Sequence, residues 1–111
     1  MDITEHRQSN VVVLRPTGAV TGEDADRLGQ RLADVLEGPG VRVVVDMAKV
    51  SFLDSRALEV LVEATEKLIR RGEALILASP NDVVREVLEL TDVAPLFEQY
   101  DDLEAAIGSP A

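Results

Sequence analysis

Cysteine and tryptophan are absent from this chain of 111 residues, histidine occurs once, and aromatic residues make up only 3% of it. Without cysteine there is no disulfide, no thiol nucleophile, no Fe–S cluster and no Cys-type zinc site. His6, the single histidine, excludes a His-rich metal site and leaves a Ser–His pair without support. Bases are few, 11 against 21 acids, for a net charge of −10. Nucleic acid and anionic membrane surfaces both need a basic patch, so neither is an expected partner. Long apolar runs are missing too. Stretches such as Val11 to Leu14 and Val43 to Val45 fall far short of the ~20 residues of a membrane span, so no direct membrane insertion is expected. The start, Met1-Asp2-Ile3-Thr4-Glu5-His6-Arg7, carries acids where a signal peptide needs bases. A cytoplasmic location follows as the expectation. What the chain does have is 46% hydrophobic residues, enough for a core without staples. Its length suits one domain spanning 1–111, with 109–111 expected as a loose tail.

Hydropathy patterning orders that core. Ile3 to Arg7 alternates and Val11 to Leu14 is continuous and β-branched, which predicts an antiparallel hairpin. Thr21-Gly22-Glu23-Asp24 reads as a helix start with Thr21 as cap and Asp24 closing a weak capping box. Ala25, Leu28, Leu32, Val35 and Leu36 follow at helical spacing, and Gly38-Pro39-Gly40 ends the run. Val41 to Val45 predicts a buried strand, Asp46 to Leu53 a loop, and Asp54-Ser55 the start of a second helix. Its inner face is read as Leu58, Leu61, Val62, Thr65, Leu68 and Ile69, with Glu63–Lys67 and Glu66–Arg70 as outer pairs. Ala74 to Ala78 predicts another strand, and Ser79-Pro80-Asn81-Asp82 another helix start, with Val83, Val84, Val87, Leu88 and Leu90 as its stripe. A short strand over Leu96 to Tyr100 and a helix from Asp101 to about Gly108 complete the order β-β-α-β-α-β-α-(β)-α. The fold class expected is α/β, with a mixed, mostly parallel four- or five-stranded sheet flanked by helices.

Sites in open α/β sheets form beyond the carboxyl ends of the strands. That edge holds Thr17 to Glu23, Asp46 to Ser55, and Ser79 to Asp82. Ser55 stands at a helix N-terminus, where unbonded N–H groups and the helix dipole favour a phosphate. Asp54 or Ser55 as a plain helix cap explains the same residues. Asp46, Asp54 and Asp24 could cluster as a magnesium or phosphoacceptor site, although no lysine ends the following strand. Asp46 could equally tie down its own loop. Gly38-Pro39-Gly40 lacks the spacing and lysine of a phosphate-binding loop.

The segment Val43-Val44-Val45-Asp46-Met47-Ala48-Lys49-Val50-Ser51-Phe52-Leu53-Asp54-Ser55 resembles the signature of STAS domains, the sulfate-transporter and anti-sigma-factor antagonist family. Val83 to Thr91, Leu96 to Asp101 and Leu103 to Ala106 are similar to the family's later elements. The resemblance implies a STAS-like fold without cofactor, metal or enzymatic activity. It also implies an anti-sigma-factor antagonist in a partner-switching cycle. The unphosphorylated form would bind an anti-sigma factor that is also a serine kinase of the histidine-kinase-like ATPase type. Phosphorylation at Ser55 would release it, and a PP2C-type phosphatase would reset it. Asp54, Arg56, Ala57, Thr21 and Asp46 are the expected partner-interface residues.

Two departures accompany the match. Where the family often has Asp-Ser-Ser-Gly, this chain has Asp54-Ser55-Arg56-Ala57; where it has Gly-Glu-Leu-Asp, this chain has Gly18-Ala19-Val20-Thr21. Arg56 could pair with Asp54, stabilise a phosphate on Ser55 or select a different partner. Two alternatives to the switch stand beside it. One is an unphosphorylated STAS subunit of an ABC-type transporter or signalling assembly, with Ser55 as a cap. The other is a small metal-dependent phosphoacceptor using Asp46 and Asp54.

Overall fold

The computed structural model describes residues 1–38 and 40–108. Pro39 and the expected tail at 109–111 lie outside the described residues. β1 (Asp2–Gln8) and β2 (Val11–Val20) form the predicted antiparallel hairpin, with Glu5 opposite Leu14 and Gln8 opposite Val11. α1 (Gly22–Leu36), β3 (Arg42–Asp46), β4 (Val50–Leu53), α2 (Ser55–Ile69), β5 (Ile76–Ala78) and α3 (Asp82–Leu90) follow. A 3₁₀ turn at Ala94–Leu96, β6 (Glu98–Tyr100) and α4 (Leu103–Gly108) close the chain. The sheet runs β1-β2-β3-β5-β6, and β4 joins it through β2. Every pairing except β1–β2 is parallel.

The sheet therefore has six strands among the described residues, not the four or five expected. The extra one, β4, lies in the stretch read as a loop. It exists because β2 runs six residues beyond the apolar run that announced it. β2 pairs with β3 from Val11 to Leu14 and with β4 from Gly18 to Val20, with a register shift at Gly18 and Ala19. Pro16 falls in the interval between these two partners, where proline's missing N–H is tolerated. Pro16 and Gly18 lie where β2 changes partner from β3 to β4.

The continuous apolar strands bury both faces, as parallel sheets require. On one face Val12, Leu14, Val43, Val45, Leu75 and Leu77 pack with Leu28, Leu32, Leu61, Leu68, Val84 and Leu88 of α1, α2 and α3. On the other, Val11, Val13, Val44, Ile76 and Ala78 pack with Ala106, Leu103 and Ile107 of α4. α2 is rotated from its expected setting. Ala57, Val60 and Ala64 are buried along with Leu61, Thr65 and Leu68, whereas Ile69 is exposed. α3 buries Val84 and Leu88 but exposes Val83 and Leu90. A nine-residue helix at the rim of the sheet covers too little to need a wider stripe. The pairs Glu63–Lys67 and Glu66–Arg70 do not close; Arg56–Glu59 is the ion pair within α2 among the described residues.

Thr65 is a fully buried polar side chain in this core, and its hydroxyl is used twice. It donates to the Leu96 carbonyl at 3.0 Å and accepts from the Leu75 N–H at 3.1 Å, joining α2 to β5 and to the turn before β6. Thr65→Val keeps the shape but strands both partners. It is expected to lower unfolding stability by about 1–3 kcal/mol, measured by urea denaturation, with little change in the helical CD signal.

Candidate functional site

β2 and β4 end side by side, with the Asp54 N–H bonded to the Val20 carbonyl at 3.3 Å. Each strand then feeds a helix, so the N-termini of α1 and α2 open at the same edge of the sheet. This is the carboxyl edge where sites of such folds form.

Asp54 sits at the junction. Its Oδ1 accepts from the Ala57 N–H at 2.8 Å, closing the first turn of α2. Its Oδ2 accepts from the Gly22 N–H at 2.9 Å, at the first residue of α1. One carboxylate thus caps two helices. Gly22 has φ +52, in the left-handed region that glycine occupies without strain. Thr21, expected as the α1 cap, holds the cap position but its side chain makes no capping hydrogen bond. The cap is supplied across the site by Asp54, which tertiary pairing alone brings within reach. Because N–H donors favour the ionised form, the bonds from Ala57 and then Gly22 hold the Asp54 carboxyl below its usual value of 3.8.

Ser55, the first residue of α2, is exposed, and its hydroxyl makes no hydrogen bond among the described residues. The plain-cap explanation therefore applies to Asp54 and not to Ser55. Arg56 does not pair with Asp54. Its Nε lies 2.6 Å from Asp26 Oδ1 on α1, and its Nη1 lies 3.2 Å from Glu59 Oε1 one turn along α2. These carboxylates, Asp26 first, raise the Arg56 guanidinium above its ordinary value. Gly22, Asp26 and Glu59 are the site residues that sequence reasoning missed. The signal for Gly22 was its glycine directly after a candidate cap. Asp26 and Glu59 gave none beyond being acids on outer helical faces.

Two expected interface residues are not at the surface. Ala57 is fully buried against the core, and Asp46 is 3% exposed. The Asp46 carboxylate accepts from Arg15 Nε at 2.8 Å and from the Ala48 N–H at 3.0 Å. It therefore anchors the β3–β4 turn, as the loop-tying alternative has it. Asp24 faces Arg27 and the N-terminal ammonium instead. The three aspartates are not brought together, and no group of three potential metal ligands occurs among the described residues. The phosphoacceptor reading that needed Asp46 beside Asp54 is overturned by these separate commitments.

Exposed apolar side chains occur on β4 and α3. Phe52 of β4 is 43% exposed and Val83 of α3 is 50% exposed. The two elements are tied together by Asn81 Nδ2, which donates to the Val50 carbonyl at 3.0 Å. No helix among the described residues is long and apolar enough to cross a membrane.

The fold is thus a small α/β domain with a mixed, mostly parallel sheet whose carboxyl edge holds an exposed serine beside a doubly used aspartate. The STAS domain profile matches residues 2–106, and the chain belongs to the STAS domain family. It is 26% identical over 106 residues to BtrV of Bordetella bronchiseptica, assigned as an anti-sigma factor antagonist, covering 96% of this chain and 91% of that one. A crystal structure of a protein assigned as an anti-sigma factor antagonist from Thermotoga maritima superposes with a TM-score of 0.87 at 25% identity, covering 95% and 91%. The anti-sigma factor antagonist SpoIIAA shares the fold at 18% identity. Its unphosphorylated form has a TM-score of 0.81, covering 96% of this chain and 93% of that chain. Its phosphorylated Bacillus form has a TM-score of 0.75, covering 96% of each.

Asp54→Asn leaves one acceptor oxygen for two N–H groups, so the variant is expected to melt at a lower temperature than wild type at pH 7. The lowered Asp54 value means that its contribution is complete above 3.8 and is lost as pH falls through the folded-state value. The gap between the two melting temperatures should accordingly narrow below pH 3.8. A gap that stays constant through acid would show that the charge is not the cause.

Proposed function

We propose that this chain is an anti-sigma factor antagonist of the partner-switching kind, a cytoplasmic binding module and not an enzyme. The observation that carries the reading is Ser55: an exposed, unbonded hydroxyl at the first residue of α2, beside an Asp54 already committed to both helix ends. The relatives assigned as antagonists supply the partner class. In this reading the unphosphorylated surface binds an anti-sigma factor that is also a serine kinase of the histidine-kinase-like ATPase type. Phosphorylation of Ser55 ends the complex, and a PP2C-type phosphatase restores it.

The physics of such a switch needs little from the fold. The interface centres on Asp54, Ser55 and Arg56, with Thr21 and Gly22 across the site and with Phe52 and Val83 as apolar contacts. A phosphate adds roughly −1.5 to −2 charges at neutral pH. Trapping such a group unpaired between two surfaces costs upward of ~1–3 kcal/mol, and each ~1.4 kcal/mol is tenfold in affinity. Asp46 and Ala57, both buried, act through geometry: one anchors the β3–β4 turn, the other seats the first turn of α2 against the core.

Incubation with the cognate kinase and ATP is expected to place one phosphate on Ser55, read by mass spectrometry, and to release the partner. Ser55→Ala should accept none there and remain bound. Ser55→Asp should bind at least tenfold more weakly with an unchanged CD spectrum. An unmodified Ser55, with wild type and Ser55→Ala bound equally in the presence of ATP, would instead favour a constitutive subunit of a transporter or signalling assembly.

A further inference from the structure

Arg56 follows Ser55 directly, in the position where the motif departs from Asp-Ser-Ser-Gly, and it is already engaged. Its guanidinium clasps α1 to α2 through Asp26 at 2.6 Å and braces the first turn of α2 through Glu59 at 3.2 Å. All three side chains are open to solvent, at 43% for Arg56, 57% for Asp26 and 60% for Glu59. Ion pairs so exposed are screened and contribute little, so they exchange readily for a stronger acceptor.

A phosphate on Ser55 is such an acceptor. It carries nearly two charges on three oxygens, and a guanidinium matches it with two parallel N–H donors. Asp54 cannot make room by turning aside, because both of its oxygens hold helix N–H groups. The cation that adjoins Ser55 in the chain is Arg56, held between the carboxylates of Asp26 and Glu59.

We infer that Arg56 is the receptor for a phosphate on Ser55: its guanidinium leaves Asp26 and Glu59 and forks onto the phosphate oxygens. The inference rests on Ser55 as the modified residue. No covalent bond changes in this step, which exchanges one set of ion pairs for another. Its consequence reaches beyond Ser55. The α1–α2 clasp opens, and Asp26 is released at the mouth of a cavity of about 350 Å³ between the helices, lined by Gly29, Arg56, Val60, Glu63 and Lys67 among others. The phosphorylated state then differs from the unphosphorylated one on α1 as well as at the serine, so a partner can read two changes from one modification.

The test needs no kinase. Phosphoserine is encoded genetically at position 55, and the protein is compared with the same protein carrying Arg56→Gln. With Arg56 present, the phosphate should titrate about half a pH unit lower by ³¹P NMR, since a nearby cation favours the dianion. The Arg56 Nε resonance should also move on phosphoserine incorporation. Arg56→Lys should give an intermediate titration, with the charge kept and the fork lost. Identical titrations in wild type and Arg56→Gln, or an Arg56 Nε resonance that stays in place, would overturn the inference. A kinase that never modifies Ser55 would overturn the function proposed above and leave these measurements standing.

Discussion

Two helices that begin at one edge of a sheet present a physical problem. Each ends in unbonded N–H groups, and the two positive dipole ends face the same region. In this protein one carboxylate answers both. Asp54 is seated by the Val20 carbonyl, and its two oxygens go to α1 and α2 separately. The arrangement requires β2 to run on past Leu14, β4 to pair with its far end, and Gly22 to turn with positive φ so that its N–H points across the gap. The position of Ser55 is a by-product of these requirements. With Asp54 spent on capping, the next residue is left exposed on a rigid first turn.

The anchoring beneath the site follows the same logic. Asp46 ends β3 in the interior, a costly place for a carboxylate unless it is paired. Arg15 from β2 and the Ala48 N–H supply the partners, and the pairing fixes the turn that leads into β4. Arg15 keeps much of its length in solvent while its charge is used below. Both aspartates of the motif thus hold the fold together, one inside and one at the rim, and the serine beside the outer one is left exposed.

Charge is unevenly distributed along the chain. Of the acids, eight lie between Asp82 and the end of the chain against one base, Arg85, whereas the region up to Arg71 holds twelve acids and ten bases. The acidic excess sits on the C-terminal elements, Asp82 onward. Around Ser55 three acids, Asp26, Asp54 and Glu59, stand against one base, Arg56. In the switch proposed above, a phosphate on Ser55 would add roughly −1.5 to −2 further charges there at neutral pH.

The sequence by itself determined the alternation of strands and helices, because period and continuity of apolar residues report burial directly. It also determined the hairpin, the segment around Asp54 and Ser55, and the chain's membership of a family. It misjudged β4, since a four-residue strand is visible only through its partner, and β2 runs through Pro16 and Gly18, past the apolar run that announced it. It misplaced the faces of α2 and α3: Ile69, Val83 and Leu90 are apolar but exposed, while Ala57, Val60 and Ala64 lie inward because closely packed helices favour small side chains. The cap of α1 was out of reach altogether. Thr21 has the right side chain in the right place, yet the aspartate that caps α2 takes the bond. Local sequence encodes which residues can cap, pair or be buried. Which of them does so is settled by contacts between residues some thirty positions apart, and only the folded chain decides those.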